Sequence, residues 1–161
     1  MKRLVLMRHA KSDWSVGEVD IERPLNKRGR KSAEALGQWL RDEGIAPDQV
    51  LCSTAVRTQE TCAGLGLDIG PTLDERLYLA EPEQILASIA GAEGDCLLVL
   101  GHNPGIAMAA RALVSNPPRH PRFSDYPTGA TLIADLDIDD WDDIRWGRAK
   151  AQGFVIPREL V

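Results

Sequence analysis

The tightest constraint on this chain is a recurring arrangement in which a short apolar run stops at a basic side chain or a histidine, with helix-periodic sequence in between. LVLM at 4–7 runs into Arg8 and His9, VLCS at 50–53 leads on to Arg57, and LLVLG at 97–101 runs into His102. Apolar runs this short are strand-sized, and their alternation with helical periodicity is the pattern of a parallel sheet covered by helices. Strands are expected near 3–7, 49–53, 96–101 and 131–135, with a last one around 144–154.

The helices fill the gaps. The first is expected to start after Asn26, a competent N-cap, and to run to Glu43, with Ala33, Leu36, Trp39 and Leu40 as its apolar stripe and Gly44 ending it. Trp39 is thereby assigned to the core. Further helices are expected over 56–65, over 82–90 with proline near its first position, and over 105–114. The stretch 115–127 holds four prolines and little periodicity, which predicts a loop packed on the surface. The fold class expected is α/β, a three-layer α/β/α sandwich with a mostly parallel central sheet. At 161 residues the chain suits one domain over 1–161.

Charge narrows the function. Nineteen basic against 24 acidic residues give a net charge of -5, so neither nucleic acid nor an anionic membrane is an expected partner. No apolar run approaches the roughly 20 residues of a membrane span, and charge returns at Arg8 before a secretory apolar segment can form, so a cytoplasmic protein is expected. Cys52, Cys62 and Cys96 are odd in number and lack CxxC spacing, which predicts buried reduced thiols. The acidic run DLDIDDWDD at 135–143 has Asp140 and Trp146 where a calcium loop needs glycine and glutamate. It reads as a solvated turn between strands.

In an open parallel sheet, ligands collect beyond the carboxyl ends of the strands. Arg8, His9, Arg57 and His102 would converge there as an anion pocket. Each guanidinium offers a planar fork that pairs with two phosphoryl oxygens and stays charged at any working pH. A histidine beside two arginines should be held unprotonated by charge repulsion and so be able to attack phosphorus. Gly101 and Gly105 flank HNP, and the helix that follows should turn its free amides toward the same rim.

Other phosphate chemistries fit poorly. A cysteine phosphatase needs five residues between cysteine and arginine, and only 53–56 separate Cys52 from Arg57. There is no GxxxxGK[ST], GLGLDIG at 64–70 lacks dinucleotide-binding spacing, and no HExxH or carboxylate cluster suggests a catalytic metal. No cofactor is expected.

MRHAKS at 7–12, STAVRTQET at 53–61 and GHNPG at 101–105 resemble, in order, the three motifs of the histidine phosphatase superfamily, with its phosphoglycerate mutase-like fold. The short chain and RPLNKRG at 23–29 are similar to its small SixA-type phosphohistidine phosphatase branch. The resemblance spans roughly residues 3–134, with Ala10 where the family has glycine. It implies that His9 is transiently phosphorylated while Arg8, Arg57 and His102 hold the phosphoryl oxygens. Larger members supply a proton-donating acid in an LxE segment, which here makes Glu75 the first candidate and Glu81 the second. Arg23, held extended by Pro24, is a candidate substrate contact at the rim. Lys11 and Ser12 either touch phosphate or shape the turn after His9, Thr128 and Gly129 border the site, and His120 is a solvated loop residue.

A metal-independent phosphatase acting on phosphohistidine in a protein is the expected function. Imidazole leaves more easily than an alkoxide and needs less acid assistance, and with no insertion between Glu75 and His102 to form a lid, the site should be open and shallow. The alternatives are a phosphomonoesterase for a small phosphorylated metabolite and a non-catalytic phosphate-binding module.

Overall fold

The apolar runs pair edge to edge into a single six-stranded sheet in a computed structural model that describes residues 1–161. The strands are β1 (Lys2–Arg8), β2 (Gln49–Cys52), β3 (Thr72–Leu73), β4 (Cys96–Gly101), β5 (Thr131–Leu136) and β6 (Lys150–Val155), in the order β3-β2-β4-β1-β5-β6. The first four run parallel; β5 is antiparallel to β1, and β6 is antiparallel to β5. Four α-helices, α1 (Lys27–Asp42), α2 (Val56–Leu65), α3 (Pro82–Ala90) and α4 (Gly105–Leu113), connect them.

Side chains alternate across a strand, and the core divides accordingly. Val5 and Met7 of β1, with Leu98 and Leu100 of β4, pack against Leu36 and Leu40 of α1 and Cys62 and Leu65 of α2. Leu4, Leu6, Leu97 and Val99 face the other way, among Ile85 and Ile89 of α3 and Ile106, Ala109 and Leu113 of α4. Both faces of the central strands are buried, which explains why they are apolar without interruption. The result is the α/β/α sandwich.

Two glycines set the register of helices against the ends of the sheet. A Cβ on Gly29, in the first turn of α1, would lie 2.1 Å from the Lys11 carbonyl oxygen, and one on Gly105 would lie 1.9 Å from that of Ala80. Only glycine allows these backbones to touch. Asn26 caps α1 as expected, its Oδ1 accepting from the Gly29 amide at 2.8 Å.

The structure corrects several expectations. The last strand begins at Lys150; before it, Trp141–Asp143 form a 3-10 turn in which Trp141 is buried and donates from Nε1 to the Gly94 carbonyl. The acidic run is therefore pinned to the core by its one tryptophan and is not simply solvated. The proline-rich stretch after α4 has no helix or strand, but it delivers Phe123 and Tyr126 into the core. Trp39 is half-buried at the margin of its cluster. The two-residue β3 was too short to show a period. Cys52 and Cys62 are buried free thiols and Cys96 is partly buried, with burial raising Cys52 to about 12. No helix is long and apolar enough to cross a membrane.

Leu98 is fully buried on a strand paired on both edges. Leu98→Ala should cost about 2–5 kcal/mol, measured by urea unfolding. A loss below about 1 kcal/mol would contradict this assignment of the core.

Candidate active site

Four strand ends and the turns after them build the site. His9 follows β1 directly; its amide donates to the Gly101 carbonyl at 3.1 Å and its carbonyl accepts from the Gly129 amide at 2.9 Å. The backbone is thus clamped between the end of β4 and the approach to β5. Ala10, where the superfamily motif has glycine, is buried and donates its amide to Thr61 Oγ1 on α2. Arg57 lies in the first turn of α2 and His102 just beyond β4. Arg8, His9, Arg57 and His102 come together as the motifs implied, and the rings of His9 and His102 are 5.3 Å apart.

Burial dominates the electrostatics here. His9 is 5% exposed and both Arg57 and His102 are 2% exposed. Burial, aided by the charges of Arg8, Arg57 and Arg23, lowers His9 to about 3; burial, then His9 and Arg57, lowers His102 to about 3. Charge repulsion, the expected cause, is the smaller one. Arg8 is also lowered, by burial and by Arg57. Both rings are neutral at pH 7. His9 Nδ1 lies 2.6 Å from the Ala10 carbonyl, which can only accept, so Nδ1 carries the proton and Nε2 keeps its lone pair. His102 Nε2 pairs with Ser53 Oγ at 2.8 Å.

The buried side-chain polar atoms without a partner are Arg8 Nε, Arg57 Nε, His102 Nδ1 and Asn103 Oδ1, and all four belong to this cluster. Concentrating unmet hydrogen bonds in one place is costly, at about 1–3 kcal/mol each, and marks a place where a polar ligand restores them. Backbone strain gathers here too. Tyr126 has a φ of 48°, a left-handed conformation that costs on the order of 1–3 kcal/mol. Its carbonyl accepts from Arg8 Nη1 at 3.2 Å and Asn103 Nδ2 at 3.0 Å.

Sequence reasoning missed the carboxylate of the site. Asp20, in a 3-10 turn (Asp20–Glu22) of the loop after β1, accepts from Arg57 Nη2 at 3.0 Å, from Arg23 Nη1 at 2.5 Å and from the Tyr78 hydroxyl. Its backbone carbonyl accepts from Arg57 Nη1 at 2.6 Å. Tyr78, then Arg23 and Arg57, hold the Asp20 carboxyl far below the usual carboxylate range. Tyr78 meets the His102 ring edge-on at 5.5 Å. The site therefore holds an internal anion on Arg57 and Arg23, with the Asp20 side chain itself 44% exposed. The signal available was DIER at 20–23, a carboxylate three residues before Arg23.

The remaining candidates divide. Arg23 is buried beneath the exposed Trp14 ring, 3.6 Å from its centroid, and donates from Nε to Ser12 Oγ. Glu75 and Glu81 are exposed and neither bonds to Arg8, His9, Arg57 or His102. Asp74 is the bonded member of that segment, holding Arg76 and Ser88. Lys11 is exposed, while Thr128 is half-buried. His120 is not solvated: its Nδ1 accepts from the Arg122 amide, which leaves Nε2 to donate to Glu159, and its ring packs on Phe154. No three His, Cys, Asp or Glu side chains gather closely enough to hold a metal ion.

Residues 4–84 match the family model of the histidine phosphatase superfamily, branch 1. An uncharacterized protein of Mycobacterium tuberculosis is 38% identical over 159 residues, which cover 94% of this chain and 100% of that protein. A candidate phosphohistidine phosphatase SixA from Nakamurella multipartitia superposes with a TM-score of 0.86 at 32% identity, over 97% of this chain and 96% of that one. The protein histidine phosphatase SixA complexed with tungstate shares the fold, with a TM-score of 0.79 at 18% identity over 99% of each chain.

Two measurements check this geometry. Imidazole NMR signals of His9 and His102 should not titrate between pH 8 and pH 5; a midpoint near 6.5 for either would contradict the burial described. Asp20→Asn removes the negative charge that competes for Arg57 and Arg23, and should tighten inorganic phosphate binding by about tenfold or more. Equal or weaker binding by calorimetry would show that Asp20 does not occupy the place of an anion.

Proposed function

This chain belongs to the histidine phosphatase superfamily, and from that premise we propose that it hydrolyses phosphohistidine in a protein through a covalent intermediate on His9. One observation carries the reading: a neutral imidazole with its Nε2 lone pair free stands beside buried donors of Arg8, Arg57 and His102 that lack partners. That is the equipment for moving a phosphoryl group with the protein's own cations.

In the proposed reaction, the phosphoryl group takes the place of the Asp20 carboxylate on Arg57 and Arg23. His9 Nε2 attacks phosphorus in line; the bond to the substrate nitrogen breaks, and the departing imidazole keeps its electron pair and is neutralised by a proton on its other nitrogen. Arg8, Arg57 and His102 hold the three equatorial oxygens as charge spreads over them. When Ser53 donates its hydroxyl proton to His102 Nε2, Nδ1 of that ring carries a hydrogen and donates to an oxygen. Water then attacks phospho-His9, releasing phosphate and restoring the imidazole. Glu75 and Glu81 flank Tyr78 in sequence, and an acid drawn from that segment serves an alkoxide leaving group and not an imidazole.

The rim favours a protein substrate. The loop carrying Asp20 exposes Trp14 (76%), Val16, Val19 and Ile21, and Leu79 next to Tyr78 is exposed as well. Apolar side chains around a polar pocket suit a protein surface better than a small, fully hydrated phosphate ester. The relative from Nakamurella multipartitia, described as a candidate phosphohistidine phosphatase, supports this choice. The free thiols suit the cytoplasm.

The deciding experiment pairs a phosphohistidine protein with an aryl phosphate, without added metal, and looks for phospho-His9 by mass spectrometry. Preferential loss of phosphohistidine with label on His9 is the expected result. Turnover of the aryl phosphate alone would move the substrate to small metabolites, and binding without turnover would make the chain a phosphate-binding module. His9→Ala should abolish labelling and nearly all turnover, and Arg57→Ala should slow turnover by about 100-fold or more. Near-normal activity of the His9 variant would overturn the mechanism.

A further inference from the structure

Beside the site lies a second concavity that the proposed reaction does not use. It is a half-open cleft of about 530 Å³ between the start of α1, the segment after His9 and the chain's last turn. Lys11, Arg28, Lys31, Arg122 and Arg158 line it, together with Ser32, and no Asp or Glu side chain does. Of these five cations only Arg122 is in an ion pair, with Asp125; the others point no charge at a carboxylate of this chain. In a protein with a net charge of -5, five cations around one cleft are a local inversion of the surface field.

The first turn of α1 carries no acidic residue, and Arg28 in that turn stands at the positive end of the helix dipole, which repels it, with Lys31 just beyond. Placing cations there disfavours the helix unless an outside anion offsets the repulsion. The cleft also adjoins the pocket along the backbone. Lys11 is two residues from His9, Gly29 seats its backbone on the Lys11 carbonyl, and Thr128 on the cleft wall precedes the Gly129 amide bound to the His9 carbonyl.

We propose that this cleft docks an acidic peptide segment adjoining the phosphorylated histidine of the substrate protein. The inference rests on the phosphohistidine reading for what occupies the pocket, but the binding it describes does not require turnover. Carboxylates of an extended segment would meet Arg28, Lys31 and Arg158, while the phosphoryl-bearing residue reaches across Lys11 to His9. A cation-lined cleft this wide accepts side-chain carboxylates one at a time and favours several in succession, so that charge density in the partner, and not one fixed residue, sets recognition.

The test uses two phosphohistidine peptides, one with glutamates flanking the histidine and one with glutamines in the same places, and the unphosphorylated glutamate peptide carrying a fluorophore. The Arg28→Ala, Lys31→Ala, Arg158→Ala triple variant should lose tenfold or more in kcat/KM for the glutamate peptide, change less than twofold for the glutamine peptide, and keep its turnover of an aryl phosphate. Fluorescence anisotropy should show the unphosphorylated glutamate peptide binding the wild type, weakening with salt, and losing affinity in the variant. An Arg28→Glu, Lys31→Glu variant should shift preference toward a lysine-flanked peptide. Equal binding of glutamate and glutamine peptides, or a triple variant that treats the glutamate peptide as the wild type does, overturns the proposal. Intact, salt-sensitive peptide binding without turnover of any phosphohistidine peptide would keep the cleft and sink the phosphohistidine reading.

Discussion

Three guanidinium groups brought together with little water between them repel one another, and much of this structure answers that problem. Arg8 and Arg57 converge because parallel strands point their ends the same way and β4 lies between β1 and β2, and Arg23 joins them from the loop after β1, through Asp20. Their charge is offset by backbone carbonyls, by a strained tyrosine whose carbonyl faces Arg8, and above all by Asp20. The sandwich on either side supplies the rigidity. Without two buried faces holding β1 and β4 in place, the cluster would relax apart and lose its geometry.

Burial has a second effect, on the imidazoles. A low dielectric destabilises their charged forms more than any neighbouring arginine does. The same dehydration that makes the arginines costly to assemble thus keeps His9 neutral, and the Ala10 carbonyl then selects which nitrogen holds the proton. Availability of the His9 lone pair is a property of the fold's interior as much as of its charges.

The layers, the helices and the gathering of Arg8, His9, Arg57 and His102 were legible in the sequence because each rests on local pattern: apolar runs of strand length, an asparagine cap, residues immediately after a strand. What escaped depends on chain paths that no short window encodes. Asp20 reaches Arg57 and Tyr78 across long sequence separations, and its loop shows neither helical nor strand periodicity. Trp141 looked like part of a solvated acidic turn because six of the nine residues in DLDIDDWDD are aspartate, yet one buried indole outweighs them. Tyr126 sits in a proline-rich stretch whose composition speaks only of irregular backbone. Trp39 erred the other way, its size suggesting deeper burial than the edge of α1 provides.

The loop that carries Asp20 is tied at its base, where Ser12 bridges to Leu25 and the Asp13 amide donates to the Pro24 carbonyl. Between those ties the loop is held to Arg57 and Tyr78 through Asp20, so releasing the carboxylate would free the loop while the strand ends stay fixed. A ligand that has to wait for the carboxylate to depart meets a gate with its own first-order rate. Association measured at rising ligand concentration would then level off at the frequency with which the loop opens, and the affinity observed would be the intrinsic one scaled by the fraction of time the gate stands open. The speed of anion entry and the selectivity against stray anions would in this way rest on the same few contacts.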